Sequence, residues 1–150
     1  MHTQRYTINR LEDPTSLGQL IQVFAQVFDM SSAVEVEQSH LEELCKNEYF
    51  FALGVFYNTQ IVGGLTGYLL PSYFHKKFSL YGYDLAVLPA FQRQGIGKLL
   101  IDYAKTYCKK KGFDEFFVQA RQEASTLYFY QSTLPDKTEE VMLYSYTCTS

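Results

Sequence analysis

The residues with the clearest chemical potential form a loop between a β-rich run and an amphipathic run. The loop Gln92-Arg93-Gln94-Gly95-Ile96-Gly97 carries two glycines, an arginine and two amide side chains, and Lys98 follows it. A strand that passes through such a loop into a helix exposes backbone N–H groups at the positive end of the helix dipole. Arg93 and Lys98 add charge, while Gly95 and Gly97 allow a ligand to approach the backbone. The pattern predicts a diphosphate site in this loop.

Two common nucleotide motifs do not fit this loop. It is not G-x-x-x-x-G-K-[ST], so the sequence excludes a nucleoside-triphosphate P-loop. It is also not the full G-x-G-x-x-G of dinucleotide-binding folds. In those folds an acid ends the next strand, whereas Asp114 and Glu115 precede it.

Length and composition describe one globular domain spanning residues 1–150. Hydrophobic residues make up 47% and charged residues 19% of the chain, which allows a sizeable core and argues against disorder. No apolar run reaches the roughly 18–20 residues that cross a bilayer, and the first residues show no cleavable apolar leader. We therefore expect no membrane-spanning helix and no membrane partner.

Charge and cysteine content narrow the class of partner. The net charge of −3 argues against nucleic acid, whose phosphates are bound through Lys and Arg. The basic run Lys109–Lys111 suits the end of a helix instead. Cys45, Cys108 and Cys148 are odd in number and widely spaced, which is typical of free thiols in a reducing compartment. We expect a cytoplasmic protein with no nucleic-acid partner and no bound metal.

Hydrophobic periodicity predicts the element order β-α-α-β-β-β-α-β-α-β. The predicted elements are a strand at Tyr6–Arg10, a helix over Leu17–Phe28, a capping-box helix from Ser39 to Asn47, strands at Phe50–Phe56, Ile61–Leu70 and Phe78–Leu88, a helix from Ile96 ended by Gly112, a strand at Glu115–Ala120, a helix at Ala124–Gln131 and a strand at Val141–Thr147. A hairpin followed by βαβ crossovers predicts an α/β fold. Its mixed sheet is covered by helices, with the strand before the glycine loop in the centre.

Alternation along that strand predicts two faces of different character. One face carries small residues around a single acid: Gly82, Asp84 and Ala86. The other is expected to pack as core: Tyr81, Tyr83, Leu85 and Val87.

The stretch LAVLPAFQRQGIGKLLI (Leu85–Ile101) resembles, almost position by position, the strand, loop and helix of a known acyl-CoA motif. That motif, [R/Q]-x-x-G-x-[G/A], belongs to the GNAT superfamily of N-acetyltransferases. ASTLYFY (Ala124–Tyr130) is similar to the A-x-x-L-Y stretch of the next family helix. The resemblance covers essentially the whole chain and implies the GNAT fold, a central mixed sheet flanked by helices. YDLAV (Tyr83–Val87) further resembles the aminoglycoside 3-N-acetyltransferases of GNAT type.

The resemblance implies acetyl-CoA as co-substrate and no metal. The expected cofactor-binding residues are Gln92, Arg93, Gln94, Gly95, Ile96, Gly97 and Lys98 at the diphosphate, and Leu85, Ala86 and Val87 along the pantetheine. In the family, the strand that carries this second set separates from its parallel neighbour, and the pantetheine lies in the gap. A backbone N–H there is placed to stabilise the oxyanion that forms when an amine attacks the thioester.

Two side chains are candidates for catalysis. Asp84 is expected to act as general base or as anchor for the ammonium, the alternative being a buried, hydrogen-bonded structural acid. Tyr128 matches the family tyrosine that protonates the departing CoA thiolate. An aromatic core stripe is the alternative for Tyr128, and Tyr130 could equally reach the sulfur. Ser132-Thr133 replace the Gly-Phe that commonly follows this helix in the family, which leaves its end open.

The acceptor implied by the narrower resemblance is a cationic small molecule, an aminoglycoside acetylated on its 3-amino group. Carboxylates should rim such a pocket, and the candidates are Asp29, Glu35, Glu123 and Glu140. Polyamines, amino acids or a protein amine would suit the same charge, and a non-catalytic acyl-CoA-binding module is an alternative of another class. By analogy with the family, a homodimer is a further option, with an edge supplied by Tyr144–Thr147.

Overall fold

The computed structural model describes residues 5–30 and 35–149. The chain forms two compact units, Met1–Gln119 and Ala120–Ser150. That 1–150 is a single domain remains a prediction from the sequence.

The first unit is a mixed sheet with helices packed on it. Within the described residues its elements are β1 (Tyr6–Arg10), α1 (Pro14–Val27), α2 (Gln38–Lys46), β2 (Phe50–Tyr57), β3 (Gln60–Pro71), β4 (Phe78–Val87), a 3-10 turn at Pro89–Phe91, α3 (Ile96–Lys111) and β5 (Glu115–Val118). The strand order is β1-β2-β3-β4-β5. Every neighbouring pair is antiparallel except β4 and β5, which are parallel. The predicted α/β class with a mixed sheet is confirmed.

Helix α1 covers one face of the sheet. Its N-terminus is capped by Asp13, whose carboxylate accepts a hydrogen bond from the Ser16 N–H at 2.8 Å. The buried Leu20 side chain packs in a cluster with Ala52 and Ala86. Gly64, paired with Ala86 across the ladder, lies directly beneath Leu20. The small residues on this face therefore let the helix approach the strands closely.

Helix α3 covers the opposite face. Leu100 and Ala104 are fully buried on it, and the Tyr107 ring lies 5.0 Å from the ring of Phe51. The helix ends at Gly112, which takes the left-handed conformation with φ of 72°, as predicted. The basic run Lys109–Lys111 occupies the last turn of this helix.

Helix α2 differs from its predicted start. It begins at Gln38, and its N-cap residue Glu37 makes no side-chain capping bond, so the predicted capping box from Ser39 to Glu42 is wrong. Ser39 already lies inside the first helical turn. Val36, just before the helix, packs against the α1 cluster. Tertiary packing, rather than the capping pattern, therefore decides where this helix starts.

Strand β4 carries an irregularity that alternation could not show. Thr66 pairs with Asp84 and Gly67 pairs with Gly82, so Tyr83 is an extra residue in β4 and forms a β-bulge. The bulge reverses the alternation, because it moves Gly82 to the face that carries Leu85. The predicted shared face of Gly82, Asp84 and Ala86 is wrong for this reason. Strand β4 also lies between β3 and β5, and the middle position belongs to β3.

The second unit contains α4 (Ala124–Ser132) and a long segment without regular structure. The predicted strand at Val141–Thr147 is wrong for the structure described. Its large side chains are exposed, Leu143 by 79% and Tyr146 by 84%. A strand needs a neighbour to pair its backbone groups, and no described residue provides that neighbour.

Two glycine substitutions should test how tightly α1 packs on the sheet. A Cβ on Gly64 would lie 2.4 Å from both Leu20 Cδ1 and the Leu53 carbonyl, so Gly64→Ala should lower the free energy of unfolding by about 1–3 kcal/mol. On Gly18, inside α1, the nearest atom would be Leu41 Cδ1 at 3.5 Å. Gly18→Ala should therefore raise the free energy of unfolding by about 0.5–1 kcal/mol. Urea unfolding measures both changes, and equal effects of the two variants would contradict this packing.

Candidate active site

The loop between β4 and α3 has the backbone conformation of an anion site. Arg93 and Gly95 are both left-handed, with φ of 63° and 83°, and α3 begins at Ile96 with no side-chain cap among the described residues. The first N–H groups of a helix have no partner inside it, so those of residues 96–98 remain available at the positive end of the α3 dipole. A Cβ on Gly95 would meet no atom within 4 Å. The space beside this turn is therefore open.

The side chains of the loop divide into two groups. The Gln92 amide donates to the Val87 carbonyl at 2.9 Å, and the Gln94 side-chain oxygen accepts from the Tyr6 hydroxyl. These two amides therefore brace the loop against β4 and β1. Arg93 and Lys98 are exposed and form no ion pair with any described residue. Their positive charges are therefore available to an anion bound at the loop.

An aromatic cluster supports the loop from the side of the first strands. The Phe91 ring lies 6.4 Å from Tyr6 and 5.4 Å from Tyr57, and these two tyrosines lie 5.5 Å apart. Sequence reasoning missed this support, because Tyr6 and Tyr57 are far from the loop along the chain. Only the pairing of β1 with β2, which aligns Tyr6 with Tyr57, brings them together.

A gap opens between β4 and β5 beside the loop. The parallel ladder extends only from Ser79 to Gly82 on β4, while Leu85, Ala86 and Val87 pair with β3 alone. Along one edge these three residues therefore lack a strand neighbour among the described residues. This is the segment where the resemblance places the pantetheine, although the Val87 carbonyl already accepts the Gln92 amide.

Asp84 lies on β4 just after the bulge, opposite the buried Thr66. Its carboxylate is half-buried and has neither a hydrogen bond nor an ion pair within residues 5–30 and 35–149. Burial raises the pKa of Asp84 above its usual value. A buried structural acid is normally satisfied by hydrogen-bond donors, and Asp84 has none among the described residues. Its role as general base or anchor remains a prediction.

Three tyrosine rings, Tyr68, Tyr81 and Tyr83, lie on the same side of the sheet as Asp84. The Tyr83 ring lies 5.5 Å from Tyr68 and 5.8 Å from Tyr81, close to perpendicular to both. Burial first, and then the nearby charges of Tyr83 and Asp84, raise the pKa of Tyr68. Tyr83 was predicted to pack as core, but it is 57% exposed. The bulge is the reason, because it turns Tyr83 toward the side of Asp84.

The second unit presents the tyrosines of α4. Tyr128 is 77% exposed, while Tyr130 is half-buried and burial raises its pKa. Ser132 and Thr133 donate their hydroxyls to the carbonyls of Phe129 and Tyr130, which closes the helix at Ser132. The exposure of Tyr128 argues against a core stripe, and its catalytic role remains a prediction.

The four predicted acceptor carboxylates are exposed. Asp29 and Glu35 flank residues 31–34, which lie outside the described part of the chain. Glu35 also lines a cavity of 350 Å³ between α1 and α2. Glu123 and Glu140 belong to the second unit. Their binding roles therefore remain predictions.

The cysteines, the metal-ligating side chains and the apolar character of the helices bear on the other sequence predictions. The cysteines Cys45, Cys108 and Cys148 are free, and burial raises the pKa of Cys108 to about 11, so this thiol is protonated at neutral pH. No set of three or more metal-ligating side chains gathers within the described ranges. The helices described there are also too short or too polar to span a bilayer.

Comparison with known proteins identifies the family. Residues 17–133 match the model of the acetyltransferase (GNAT) family, which spans most of the chain. The chain therefore belongs to that family, and the predicted N-acetyltransferase activity that depends on acetyl-CoA is confirmed at this level. A search of curated protein sequences gave no match.

Several similar solved structures are aminoglycoside acetyltransferases. An aminoglycoside acetyltransferase, meta-AAC0020 from an uncultured soil metagenomic sample, in complex with sisomicin, is 39% identical, with a TM-score of 0.92 over 96% of this chain and 97% of that one. A second soil metagenomic aminoglycoside acetyltransferase, HMB0005, is 26% identical, with a TM-score of 0.85 over 96% and 99%. AAC(6')-Iy, bound to a bisubstrate analogue, is 18% identical with a TM-score of 0.78 over 95% and 99%. That last likeness shows the fold alone.

Replacing Asp84 should show how the raised pKa of its carboxylate affects the stability of the fold at different pH values. Because its folded pKa is raised, the ionised carboxylate destabilises the fold, and this cost appears as pH rises from its ordinary pKa through the raised value. Asp84→Asn should therefore match the wild type in acid and exceed it in melting temperature at pH 7. Thermal unfolding across this range measures the difference. Asp102→Asn on the exposed face of α3 controls for removal of one charge. A wild type more stable than Asp84→Asn at pH 7 would contradict this account.

Proposed function

We propose that this protein transfers the acetyl group of acetyl-CoA to the 3-amino group of an aminoglycoside. The single observation that carries the proposal is the unpaired Asp84 carboxylate, which stands beside exposed tyrosines next to the gap between β4 and β5. The 39% identity to an aminoglycoside acetyltransferase in complex with sisomicin supports the choice of acceptor. The 3-amino position rests on the likeness of Tyr83–Val87 to the 3-N enzymes.

The loop and the gap supply the coenzyme site in this proposal. Backbone amides of residues 95–98, with Arg93 and Lys98, bind the diphosphate. Gln92 and Gln94 hold the loop in the binding conformation. The pantetheine lies along Leu85–Val87, where backbone groups lack a strand neighbour and can pair with its amides.

The proposed reaction is direct transfer without an acyl-enzyme. Asp84 holds the acceptor ammonium, and the amine loses a proton to this carboxylate or to water. The amine nitrogen then attacks the thioester carbonyl, and a backbone N–H of β4 stabilises the oxyanion. The C–N bond forms as the C–S bond breaks. Tyr128 donates a proton to the CoA thiolate. The nitrogen of the new amide loses its second proton to water, and a proton from water restores Tyr128.

Asp29, Glu35, Glu123 and Glu140 remain proposed contacts for the other ammonium groups of the acceptor. The free cysteines agree with a cytoplasmic enzyme, and a single acetyltransferase domain, able to form a homodimer, is part of the same proposal.

Thiol release from acetyl-CoA should reveal the acceptor. We expect turnover with aminoglycosides such as sisomicin, and a loss of about 10²–10⁴-fold in kcat/KM for Asp84→Asn, the range typical of a removed acid–base group. NMR of the product locates the acetyl group. Turnover of polyamines, amino acids or a peptide amine, with none of any aminoglycoside, would overturn the acceptor. CoA binding without turnover of any amine would indicate a non-catalytic module.

Two matched glycines should test the coenzyme loop. Gly95 and Gly112 flank α3, have similar positive φ values and have open space where a Cβ would lie. Either Gly→Ala change should cost about 1 kcal/mol of stability, because alanine is strained in the left-handed region. Gly95→Ala alone should weaken CoA binding by at least about tenfold, since one hydrogen bond to a charged group contributes about 1.5–3 kcal/mol. Calorimetric titration measures this, and equal CoA affinity in both variants would place the diphosphate elsewhere.

A further inference from the structure

The bulge in β4 places the Tyr83 ring on the same side of the sheet as Asp84. We propose that Tyr83, together with Tyr68, forms a second cation subsite, which binds an ammonium group of the acceptor other than the one that is acetylated. This proposal rests on the proposed function and narrows it. The acceptor must carry at least two ammonium groups at a spacing that lets one reach Asp84 while the other lies against the tyrosines.

The exposure of Tyr83 is the first reason. It is 57% exposed and Tyr68 is 40% exposed, although both lie in the interior strands β3 and β4. An aromatic ring on such a strand normally packs under a helix. The Leu20 side chain of α1 packs over Gly64 and Ala86. The exposed parts of the Tyr68 and Tyr83 rings are not covered in this way and can contact a ligand.

The rigidity of the rings is the second reason. Tyr83 is nearly perpendicular to Tyr68, at 79°, and to Tyr81, at 83°. Tyr81 is itself fixed, since it stacks on Phe117 at 4.9 Å and donates its hydroxyl to the Gln119 side chain at 2.8 Å. A ring that is already held in place loses little conformational entropy when a ligand binds.

The charge of the patch is the third reason. Asp84 has no cationic partner among the described residues, and none of the described cation–π contacts involves Tyr68 or Tyr83. Asp84 pairs with Thr66, and Tyr68 lies two residues from Thr66 on the same face of β3. The charge of Asp84 also contributes to the raised pKa of Tyr68, so one polycation can contact both groups. A cation over a tyrosine face is attracted by the ring quadrupole. An acceptor with several ammonium groups therefore gains at both positions.

The test compares Tyr83→Leu, Tyr83→Phe and Tyr73→Leu in the full chain. Tyr83→Leu removes the ring, while Tyr83→Phe keeps the ring face and removes only the hydroxyl. Tyr73, on the loop before β4, contacts Phe74 and is 91% exposed, so its leucine variant controls for loss of an exposed tyrosine. Calorimetric titration with sisomicin in the presence of CoA gives the acceptor Kd. Titration with CoA alone gives the coenzyme Kd.

We expect Tyr83→Leu to raise the sisomicin Kd by about 3- to 30-fold, the range of a cation–π contact, with the CoA Kd unchanged. Tyr83→Phe and Tyr73→Leu should retain the wild-type value. An unchanged Kd in Tyr83→Leu, an equal loss in Tyr83→Phe, or a parallel loss of CoA affinity would overturn the subsite while leaving the proposed function intact. Wild-type protein that neither binds nor acetylates sisomicin or any other aminoglycoside would overturn both.

Discussion

The pairing of β4 with its two neighbours is the constraint on which the candidate site depends. On one side β4 pairs with β3 along its whole length, and on the other it pairs with β5 only from Ser79 to Gly82. The remaining backbone edge must find other partners or solvent, since an unpaired polar backbone group is costly when buried. The same half of β4 carries the bulge at Tyr83 and the carboxylate of Asp84. The free backbone edge of β4 thus results from the short ladder with β5, and the position of Tyr83 beside Asp84 results from the bulge in the ladder with β3.

The loop after β4 extends the candidate site toward the start of α3. Left-handed backbone at Arg93 and Gly95 directs the start of α3 toward open space, and a non-glycine residue there stores strain of about 1–2 kcal/mol. Such strain persists when the surroundings over-determine it. The Gln92 bond to Val87 and the Tyr6 bond to Gln94 provide those surroundings. The first strand of the protein therefore helps to shape a site that lies far along the chain.

The charged groups near β4 form two surfaces of opposite sign. The glycine loop after β4 offers Arg93, Lys98 and the N-terminus of α3, which attract anions. The face of β4 that carries Asp84 offers this carboxylate and the rings of Tyr68 and Tyr83, which attract cations. These two surfaces meet at β4, which agrees with the proposed binding of an anionic coenzyme and a cationic acceptor. Membership of the family does not by itself specify an acceptor, because a shared fold hosts many substrates.

Much of the fold, and the glycine loop between β4 and α3, could be predicted from the sequence, because local patterns determine them. The hairpin of β2 and β3, the helix from Ile96 to its end at Gly112, and the glycine turn before it are set by neighbouring residues. The alternating pattern gave the wrong side for Tyr83. A bulge depends on how β3 pairs with β4, and it leaves no recognisable pattern in the sequence of one strand. The pattern at Val141–Thr147 likewise predicted a strand that forms only if another strand accepts it. The sequence by itself therefore determined most of the elements and the glycine turn before α3, whereas tertiary pairing decided which side chains stand beside Asp84. Side-chain direction in a sheet depends on a partner that is distant along the chain.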